Sequence, residues 1–338
     1  MTSLLGGGAG EREAPKRTGL GFAIYAMGVR ERALRERGTD LSDPEVFLAE
    51  AHRLGAGGIQ APIPPGDPDR LRRLRSTAER LGMCVEAIVS PPRDRADLAR
   101  FEAEVVAARE AGAGVARTVI IPGRRYERFR SLEEFLRAAR EGERSLELAE
   151  PVARRHGLSL AVENHKDQRI EERVDLFRRL ASERVGACVD VGNSFALLED
   201  PMEVVRAYAP WALSVHLKDQ AVRECERGFL FADAALGRGF LDIQAMVKVL
   251  RAARPEARFF LETITRDALE VPVLTAEYYA SFPEIPGADL ARTLRTVRRH
   301  AAPEPFPEVS ELPLERQLAL ETENLERSVA YARDVLGI

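Results

Sequence analysis

The sequence predicts an α/β protein built as one (β/α)8 TIM barrel with a C-terminal helical extension. Eight short apolar runs each precede a helical pattern, and their starts recur about every 34 residues, the length of one βα unit. Runs that are apolar on both faces are typical of strands in a parallel sheet covered on both sides, and strict alternation favours a closed barrel. The predicted strands are Leu20–Ala26, Gly58–Ile63, Cys84–Val89, Ala116–Ile121, Leu158–Val162, Val185–Val189, Ala212–Leu217 and Arg258–Leu261.

Capping residues mark the helices between these strands. A short polar side chain followed by proline, or by glutamate three positions later, is a signal for the start of a helix. Such signals lie at Ser42–Glu45, Asp67–Pro68, Ser131–Glu134, Asp200–Pro201 and Asp242. A doubly wound open sheet is the alternative architecture, but the first turn, Tyr25–Gly28, lacks the GxGxxG pattern.

The chain divides into three parts on composition. Residues 1–18 are rich in glycine and then charged, with no periodicity, and we expect a disordered N-terminal tail there. The barrel domain is predicted over residues 19–302. Residues 303–338 comprise a proline-rich linker and a helix near Leu314–Leu336. Packing of that helix on its own barrel is the simpler interpretation, and a homo-oligomer formed through it is the alternative.

Composition excludes several classes of protein. The chain has 50 Lys and Arg against 54 Asp and Glu, so its charge gives no reason to expect a nucleic-acid or membrane partner. It lacks an apolar stretch long enough for a membrane span and a recognisable signal peptide, and its 3 cysteines are too few for a disulfide framework. We therefore expect a cytoplasmic protein.

Candidate functional residues follow the later predicted strands. The active site of such a barrel lies at the C-terminal ends of its strands. The fifth to eighth strands end in or beside side chains that can bind a metal: Glu163, Asp190, His216 and Glu262. Three converging carboxylates would repel one another unless a divalent cation compensates their charge. Oxygen ligands with one imidazole nitrogen favour one Mn²⁺ ion, with Mg²⁺, Co²⁺ or Zn²⁺ as alternatives.

Lysine is scarce in this chain, and its placement is informative. Only 4 of the 50 basic residues are lysines, yet Lys166 and Lys218 both follow predicted strand ends, and His165 stands beside the first of them. A site that needs a compact charge with an adjustable pKa would explain why arginine is absent there. A position in a surface loop is the alternative for His165 and Lys166.

This pattern of strand ends resembles the xylose-isomerase-like barrel superfamily, in its branch of sugar phosphate isomerases/epimerases and ketose 3-epimerases, over about residues 19–300. The resemblance implies that Glu163, Asp190, His216 and Glu262 hold one metal ion. It also implies that Glu163 and Glu262 act as acid and base on opposite faces of a sugar. DNA-repair endonucleases of the superfamily are disfavoured, because they need three zinc ions and further histidines at the earlier strand ends.

The chain departs from the ketose 3-epimerase pattern at three places. Asn193 stands where many members have histidine, and it can bind a hydroxyl group without acting as a base. His165 and Lys166 are additional candidates for acid–base catalysis. Lys218 and Arg223 are candidate substrate-binding residues, although Arg223 is not at the epimerase spacing. These departures weaken a simple assignment as a ketose 3-epimerase.

The expected function is that of a divalent-metal-dependent isomerase or epimerase acting on a small-molecule sugar or sugar derivative. A metal that polarises a ketose carbonyl acidifies the neighbouring C–H, and two carboxylates remove and return the proton through a metal-bound enediolate. Loss of a neighbouring substituent instead makes the enzyme a lyase or dehydratase, acting on a keto-sugar, keto-glycoside or cyclic polyol. A non-catalytic sugar-binding barrel is a further alternative.

Two loops carry features with competing interpretations. Gly237-Arg238-Gly239 precedes a predicted helix and could hold a phosphate, although such glycines more often only form a turn. The loop after the eighth strand, from Thr263 to about Pro286, contains Tyr278, Tyr279 and Phe282. We expect this loop to act as a lid over a sugar, with a packed aromatic patch as the alternative.

Overall fold

A computed structural model describes residues 18–338, so the tail expected over residues 1–18 lies outside the described part except for Thr18. Eight parallel strands form a closed barrel, which confirms the predicted fold class. Residues 18–338 contain eleven strands, of which β8, β9 and β11 lie outside the barrel: β1 (Gly21–Ala23), β2 (Gly58–Pro62), β3 (Cys84–Ile88), β4 (Val115–Thr118), β5 (Ser159–Glu163), β6 (Val185–Asp190), β7 (Ala212–Leu217), β8 (Asp219–Cys225), β9 (Gly228–Ala234), β10 (Arg258–Leu261) and β11 (Leu269–Val271). The barrel closes in the order β1-β10-β7-β6-β5-β4-β3-β2.

The helices begin where the sequence signals place them. The side chains of Asp43, Asp67, Ser131, Asp200 and Asp242 each accept a hydrogen bond from a backbone N–H in the first turn of the helix that follows. None of the helices within residues 18–338 has the length and apolar character that a membrane span needs. The helices are α1 (Gly28–Arg35), α2 (Pro44–Arg53), α3 (Pro68–Arg80), α4 (Leu98–Glu110), α5 (Arg125–Arg128), α6 (Leu132–Arg155), α7 (Ile170–Leu180), α8 (Pro201–Tyr208), α9 (Ile243–Ala253), α10 (Ala276–Tyr279), α11 (Gly287–Arg299) and α12 (Leu314–Tyr331).

An antiparallel sheet that the sequence analysis did not predict stands beside the barrel mouth. Strands β8 and β9 form a hairpin after β7, and β11 pairs with β9. The sheet buries Phe229 and Phe231 in a second hydrophobic cluster, separate from the main core. A hairpin inside one βα connection departs from the period of about 34 residues, so periodicity alone could not reveal it.

The turn Gly237–Gly239 already holds an anion, and that anion is a side chain of the protein. The Asp219 carboxylate accepts hydrogen bonds from the backbone N–H groups of Gly237, Gly239 and Leu241 at 2.8 to 3.1 Å. A Cβ on Gly239 would lie 2.2 Å from Asp219 Oδ1, so this close approach requires glycine. The structure therefore supports the turn interpretation over the phosphate interpretation.

The aromatic loop after β10 is packed into the protein, which contradicts the expected lid. Tyr278 is fully buried and its hydroxyl donates to the Ala196 carbonyl at 2.8 Å. The buried Arg125 guanidinium lies over the rings of Phe135 and Phe282 and donates to the carbonyl of Ser281. These contacts tie the loop to α5 and α6, because opening it would expose a desolvated cation and its aromatic partners.

The C-terminal helix α12 packs on its own barrel. Leu325 and Val329 belong to the main core, and α12 lies against α1. The Glu321 carboxylate accepts hydrogen bonds from the backbone N–H groups of Val29 and Arg30, at 2.7 and 2.9 Å. A carboxylate at the N-terminus of α1 satisfies donors that the helix itself leaves open. This contact supports the interpretation in which the helix covers its own barrel.

Replacement of Glu321 by alanine should destabilise the fold. Two buried backbone N–H groups would lose their acceptor, which predicts a decrease of about 1–3 kcal/mol in the free energy of unfolding. Urea denaturation of the variant provides the measurement. Glu323→Ala is the control, because Glu323 forms only an exposed ion pair with Arg327 and should change stability little. Equal effects of both substitutions would contradict the capping role.

Candidate metal centre

The four predicted ligands converge at one end of the barrel. Glu163 ends β5 and Asp190 ends β6, while His216 in β7 is the register partner of Asp190. Glu262 follows β10 directly, and its backbone N–H donates to the Leu217 carbonyl. All four residues are buried, and their ligand atoms lie within 4.8 Å of one another. Parallel strands with this register bring the four side chains to one level of the barrel.

The His216 imidazole faces the three carboxylates with an unsatisfied nitrogen. Its Nδ1 lies 3.4 Å from Glu262 Oε2, 3.8 Å from Glu163 Oε2 and 3.9 Å from Asp190 Oδ2. Among the described residues Nδ1 has no hydrogen-bond partner, although it is completely buried. An orphaned nitrogen among three carboxylate oxygens is the donor set of a divalent cation site. The residues present therefore fit a metal ion.

A hydrogen-bonded chain behind His216 sets the direction of its imidazole. His216 Nε2 lies 2.7 Å from Gln60 Oε1, and Gln60 Nε2 donates to Glu86 Oε1, also at 2.7 Å. Because the Glu86 carboxylate only accepts, it orients the amide so that Oε1 accepts the proton of Nε2. Nδ1 is then the nitrogen that faces the carboxylates. Burial raises the pKa of Glu86 to about 7.

Glu163 is held by a cation that the sequence analysis did not single out. Arg117 in β4 donates from Nε to Glu163 Oε2 at 2.6 Å and also from Nη2 to the same oxygen. Asn193 Nδ2 donates to the other oxygen, Oε1, at 3.3 Å. Burial acts to raise the pKa of Glu163, but the Arg117 charge lowers it below the ordinary value for glutamate. Glu163 is therefore ionised at neutral pH.

Asp190 is positioned by backbone and amide groups. Asn164 binds the Asp190 backbone twice, accepting from its N–H and donating to its carbonyl, both at 2.8 Å. Asp190 Oδ1 accepts from the backbone N–H groups of Gly192 and Asn193 at 3.0 and 2.8 Å. The second oxygen, Oδ2, stays free of such bonds and faces the other ligands. These contacts fix the carboxylate with one oxygen directed into the site.

Lys218 bridges two of the carboxylates. Its ammonium donates to Glu262 Oε2 at 2.7 Å, and it lies 2.8 Å from Asp190 Oδ2. Burial acts to lower the pKa of Lys218, but Asp190 and Glu262 raise it above the ordinary value for lysine. For Glu262, burial acts to raise the pKa, while Lys218 and His216 lower it well below the usual range. Lys218 is therefore a permanent cation at the edge of the metal-ligand set.

His165 and Lys166 lie in the same cavity as these groups. A cavity of about 480 Å³ opens beside Glu262 and is lined by His165, Lys166, Asn193 and Lys218. The Lys166 ammonium donates to Asn193 Oδ1, and its side chain is buried. Burial, with Lys218 nearby, lowers the pKa of Lys166 to about 8. The alternative of a surface loop does not fit the buried Lys166.

The structure leaves one candidate substrate-binding residue outside this group. Arg223 lies in β8, and its guanidinium donates to the carbonyls of Ala302 and Pro303 at 3.2 and 3.5 Å. The hairpin directs it to the linker before the C-terminal helix. Three residues that matter in the site were missed: Gln60, Glu86 and Arg117. Each is a polar residue inside an otherwise apolar strand run, and that signal was present in the sequence.

Comparison with known families identifies the family. The model of the xylose isomerase-like TIM barrel matches residues 48–292, which is more than half of the chain. The chain belongs to this family, as its strand ends suggested.

Individual proteins resemble the chain more distantly. The 3-oxo-isoapionate decarboxylase of Pectobacterium atrosepticum is 29% identical over 103 residues, which are 30% of this chain and only 38% of that protein. A solved D-psicose 3-epimerase, crystallised in the presence of D-fructose, superposes with a TM-score of 0.60 at 13% identity, covering 94% of this chain and 99% of that one. A xylose isomerase-like TIM barrel protein from Mycobacterium smegmatis in complex with magnesium gives a TM-score of 0.53 at 15% identity, covering 84% and 97%. Identities this low in the two structures support the shared fold alone.

The purified protein should bind one divalent ion in competition with protons. Burial acts to lower the pKa of His216, but Cys188, Glu262 and Glu163 raise it well above its ordinary value, so the metal must displace a proton. We expect affinity for Mn²⁺ to rise with pH above 6.5 and proton release on binding, measured by calorimetry in buffers of different ionisation enthalpy. His216→Ala should abolish stoichiometric binding. Affinity independent of pH would contradict coordination by His216.

The orienting role of the hydrogen bonds behind His216 can be tested by exchanging Gln60 and Glu86. Gln60→Leu removes the acceptor of Nε2, and we expect about a 10–100-fold loss of metal affinity. The double variant Gln60→Glu/Glu86→Gln keeps an acceptor facing His216 and an amide behind it, so its affinity should return close to that of the native protein. Thr118→Val is the control, because Thr118 is buried in β4 and its hydroxyl has no hydrogen-bond partner among residues 18–338. Native affinity in Gln60→Leu would show that the chain does not orient His216.

Proposed function

We propose that this protein is a metal-dependent isomerase or epimerase that moves a proton at the carbon beside a carbonyl group of a sugar derivative. The observation that carries the proposal is the buried His216 Nδ1, unpartnered among the described residues and surrounded by three carboxylate oxygens. Glu163, Asp190, His216 and Glu262 would hold the ion, with Mn²⁺ as the first candidate. Such an ion polarises a carbonyl and so acidifies the neighbouring C–H.

The two glutamates supply the proton-transfer groups of the proposal. Arg117 beside Glu163 and Lys218 beside Glu262 lower the pKa of each carboxyl, so both are ionised at neutral pH and able to accept a proton. They belong to strands on different sides of His216 along the chain, β5 and the end of β10. Asn193 lies between Lys166 and Glu163 and can bind a substrate hydroxyl group.

A lyase is the second candidate, and the same ion pairs favour it. Each glutamate is held by a fixed cation, which restricts the movement that a reversible proton shuttle at both faces requires. A lyase that eliminates a substituent needs one base that removes the proton from the carbon beside the carbonyl, and one acid that gives the departing group a proton. Lys166, whose pKa is lowered to about 8, is suited to deliver it. The relative from Pectobacterium atrosepticum bears the name of a decarboxylase, which is a lyase.

Isotope exchange tests the proposal. The Mn²⁺-loaded protein, incubated in D₂O with a panel of keto-sugars, should incorporate deuterium at the carbon beside the carbonyl. Glu163→Gln and Glu262→Gln should each slow exchange by roughly 10²–10⁴-fold, because an amide cannot accept the proton. Mass spectrometry measures the exchange. Glu256→Gln, at an exposed position before β10, is the control and should exchange at the native rate.

The products distinguish the two candidates. Recovery of an isomeric sugar carrying deuterium supports the isomerase or epimerase. Release of carbon dioxide, water or an alcohol with formation of a smaller or unsaturated product supports the lyase. Metal binding without exchange or cleavage of any member of the panel would contradict both and favour a sugar-binding role.

A further inference from the structure

Five cationic side chains lie on the wall of the cavity beside the metal centre. Four of them already have a carboxylate in ion-pair contact. Arg117 pairs with Glu163, Arg124 with Glu127, Lys218 with Asp190 and Glu262, and Arg266 with Asp233. The fifth cation is Lys166.

Lys166 differs from the other four in its partners. Its side chain is only 3% exposed. Within residues 18–338 it forms no ion pair, because Asp190 and Asp233, the carboxylates that act on its charge from farther away, are paired with Lys218 and Arg266. Its ammonium donates to Asn193 Oδ1, an uncharged amide oxygen. The same oxygen lies 3.5 Å from the Lys218 ammonium, so a second positive charge stands close by. A buried ammonium without a carboxylate in direct contact is unfavourable unless a ligand supplies the negative charge.

An anion that pairs with Lys166 would lie beside the candidate metal centre. Asn193 accepts from Lys166 and donates to Glu163 Oε1 at 3.3 Å, so one amide separates the ammonium from a metal-ligand carboxylate. A substrate bound at these carboxylates would therefore have a neighbouring substituent within reach of Lys166. From this arrangement we propose that the cavity recognises an anionic sugar derivative, a sugar acid, and that Lys166 binds its carboxylate. The inference rests on the proposed function only in placing the sugar at the metal centre.

A carboxylate fits this position better than a phosphate. One ammonium without a partner matches one negative charge, whereas a phosphate dianion is usually held by several donors at a helix N-terminus or by arginine. The glycine turn that could have served a phosphate is filled by the Asp219 carboxylate. The arginines on the cavity wall, Arg117, Arg124 and Arg266, are already paired with acidic residues.

A matched pair of ligands tests the proposal. D-gluconate and D-sorbitol differ only in carrying a carboxylate or a hydroxymethyl group at one end. Calorimetry on the Mg²⁺-loaded protein should show that gluconate binds at least about tenfold more tightly than sorbitol, as expected for a charge-assisted contact. Lys166→Gln should remove this preference, so that gluconate and sorbitol bind the variant with similar affinities. Lys248→Gln, at an exposed position in α9, should keep it.

Lysine scarcity permits a direct spectroscopic readout. With only 4 lysines in the chain, the side-chain NMR signals of ¹³C,¹⁵N-lysine-labelled protein can be assigned by substitution. Gluconate should shift the Lys166 signal, and sorbitol should not. Inorganic phosphate is the third probe. A shift with phosphate and none with gluconate, or a preference for gluconate that survives in Lys166→Gln, would overturn the proposal.

The outcome is separable from that of the proposed function. A shift of Lys166 by gluconate supports the anion site even if no isotope exchange is found with any keto-sugar. Exchange with neutral keto-sugars by the native protein, together with equal affinities of that protein for gluconate and sorbitol, would retain the proposed function and overturn the anion site.

Discussion

The carboxylates of Glu163, Asp190 and Glu262 share one buried site with the imidazole of His216, and the cost of burying these charges together governs the barrel mouth. Carboxylates in a low-dielectric site repel one another and lose their hydration. Each is compensated differently. Glu163 has a guanidinium, Glu262 has an ammonium, and Asp190 has two backbone N–H groups together with the same ammonium. One oxygen of each carboxylate faces His216 Nδ1, at 3.4 to 3.9 Å.

The neighbouring cations also determine the protonation state of the two glutamates. Burial acts to raise the pKa of the two glutamates, but Arg117 and Lys218 lower it, so both carboxyls are ionised at neutral pH. On the opposite side of His216, Gln60 and Glu86 extend the hydrogen-bonded network into the barrel interior. The direction of the imidazole nitrogen that faces the carboxylates is thus set by a carboxyl two side chains away.

Structures outside the barrel keep the mouth in place. The Asp219 carboxylate closes the base of the β8–β9 hairpin on the glycine turn. Arg125, stacked between two phenylalanine rings, holds the aromatic loop after β10. Helix α12 supplies the Glu321 carboxylate to the start of α1, the helix that follows the first strand. The cavity is therefore bounded by anchored segments, and the aromatic loop contributes packing where a lid was expected.

The sequence by itself determined the barrel fold and the positions of the candidate ligands at the strand ends. Period, apolar runs and capping residues predicted the eight strands of the barrel and the starts of its helices, because these are local signals read within one βα unit. The apolar runs also placed Glu163, Asp190, His216 and Glu262 at strand ends. These residues were expected to converge, because parallel strands in a barrel have their C-terminal ends on one side. It also singled out Lys166 and Lys218 from the scarcity of lysine.

Tertiary structure alone decided how the charges are paired. Arg117 reaches Glu163 across 46 positions of sequence and Gln60 reaches His216 across 156, and no local pattern encodes such contacts. The β8–β9 hairpin turned Arg223 away from the site, and the Arg125 stacking fixed the aromatic loop. Lys166 without a carboxylate partner is likewise a property of the folded cavity, because a missing neighbour can be recognised only after the surrounding strands have closed.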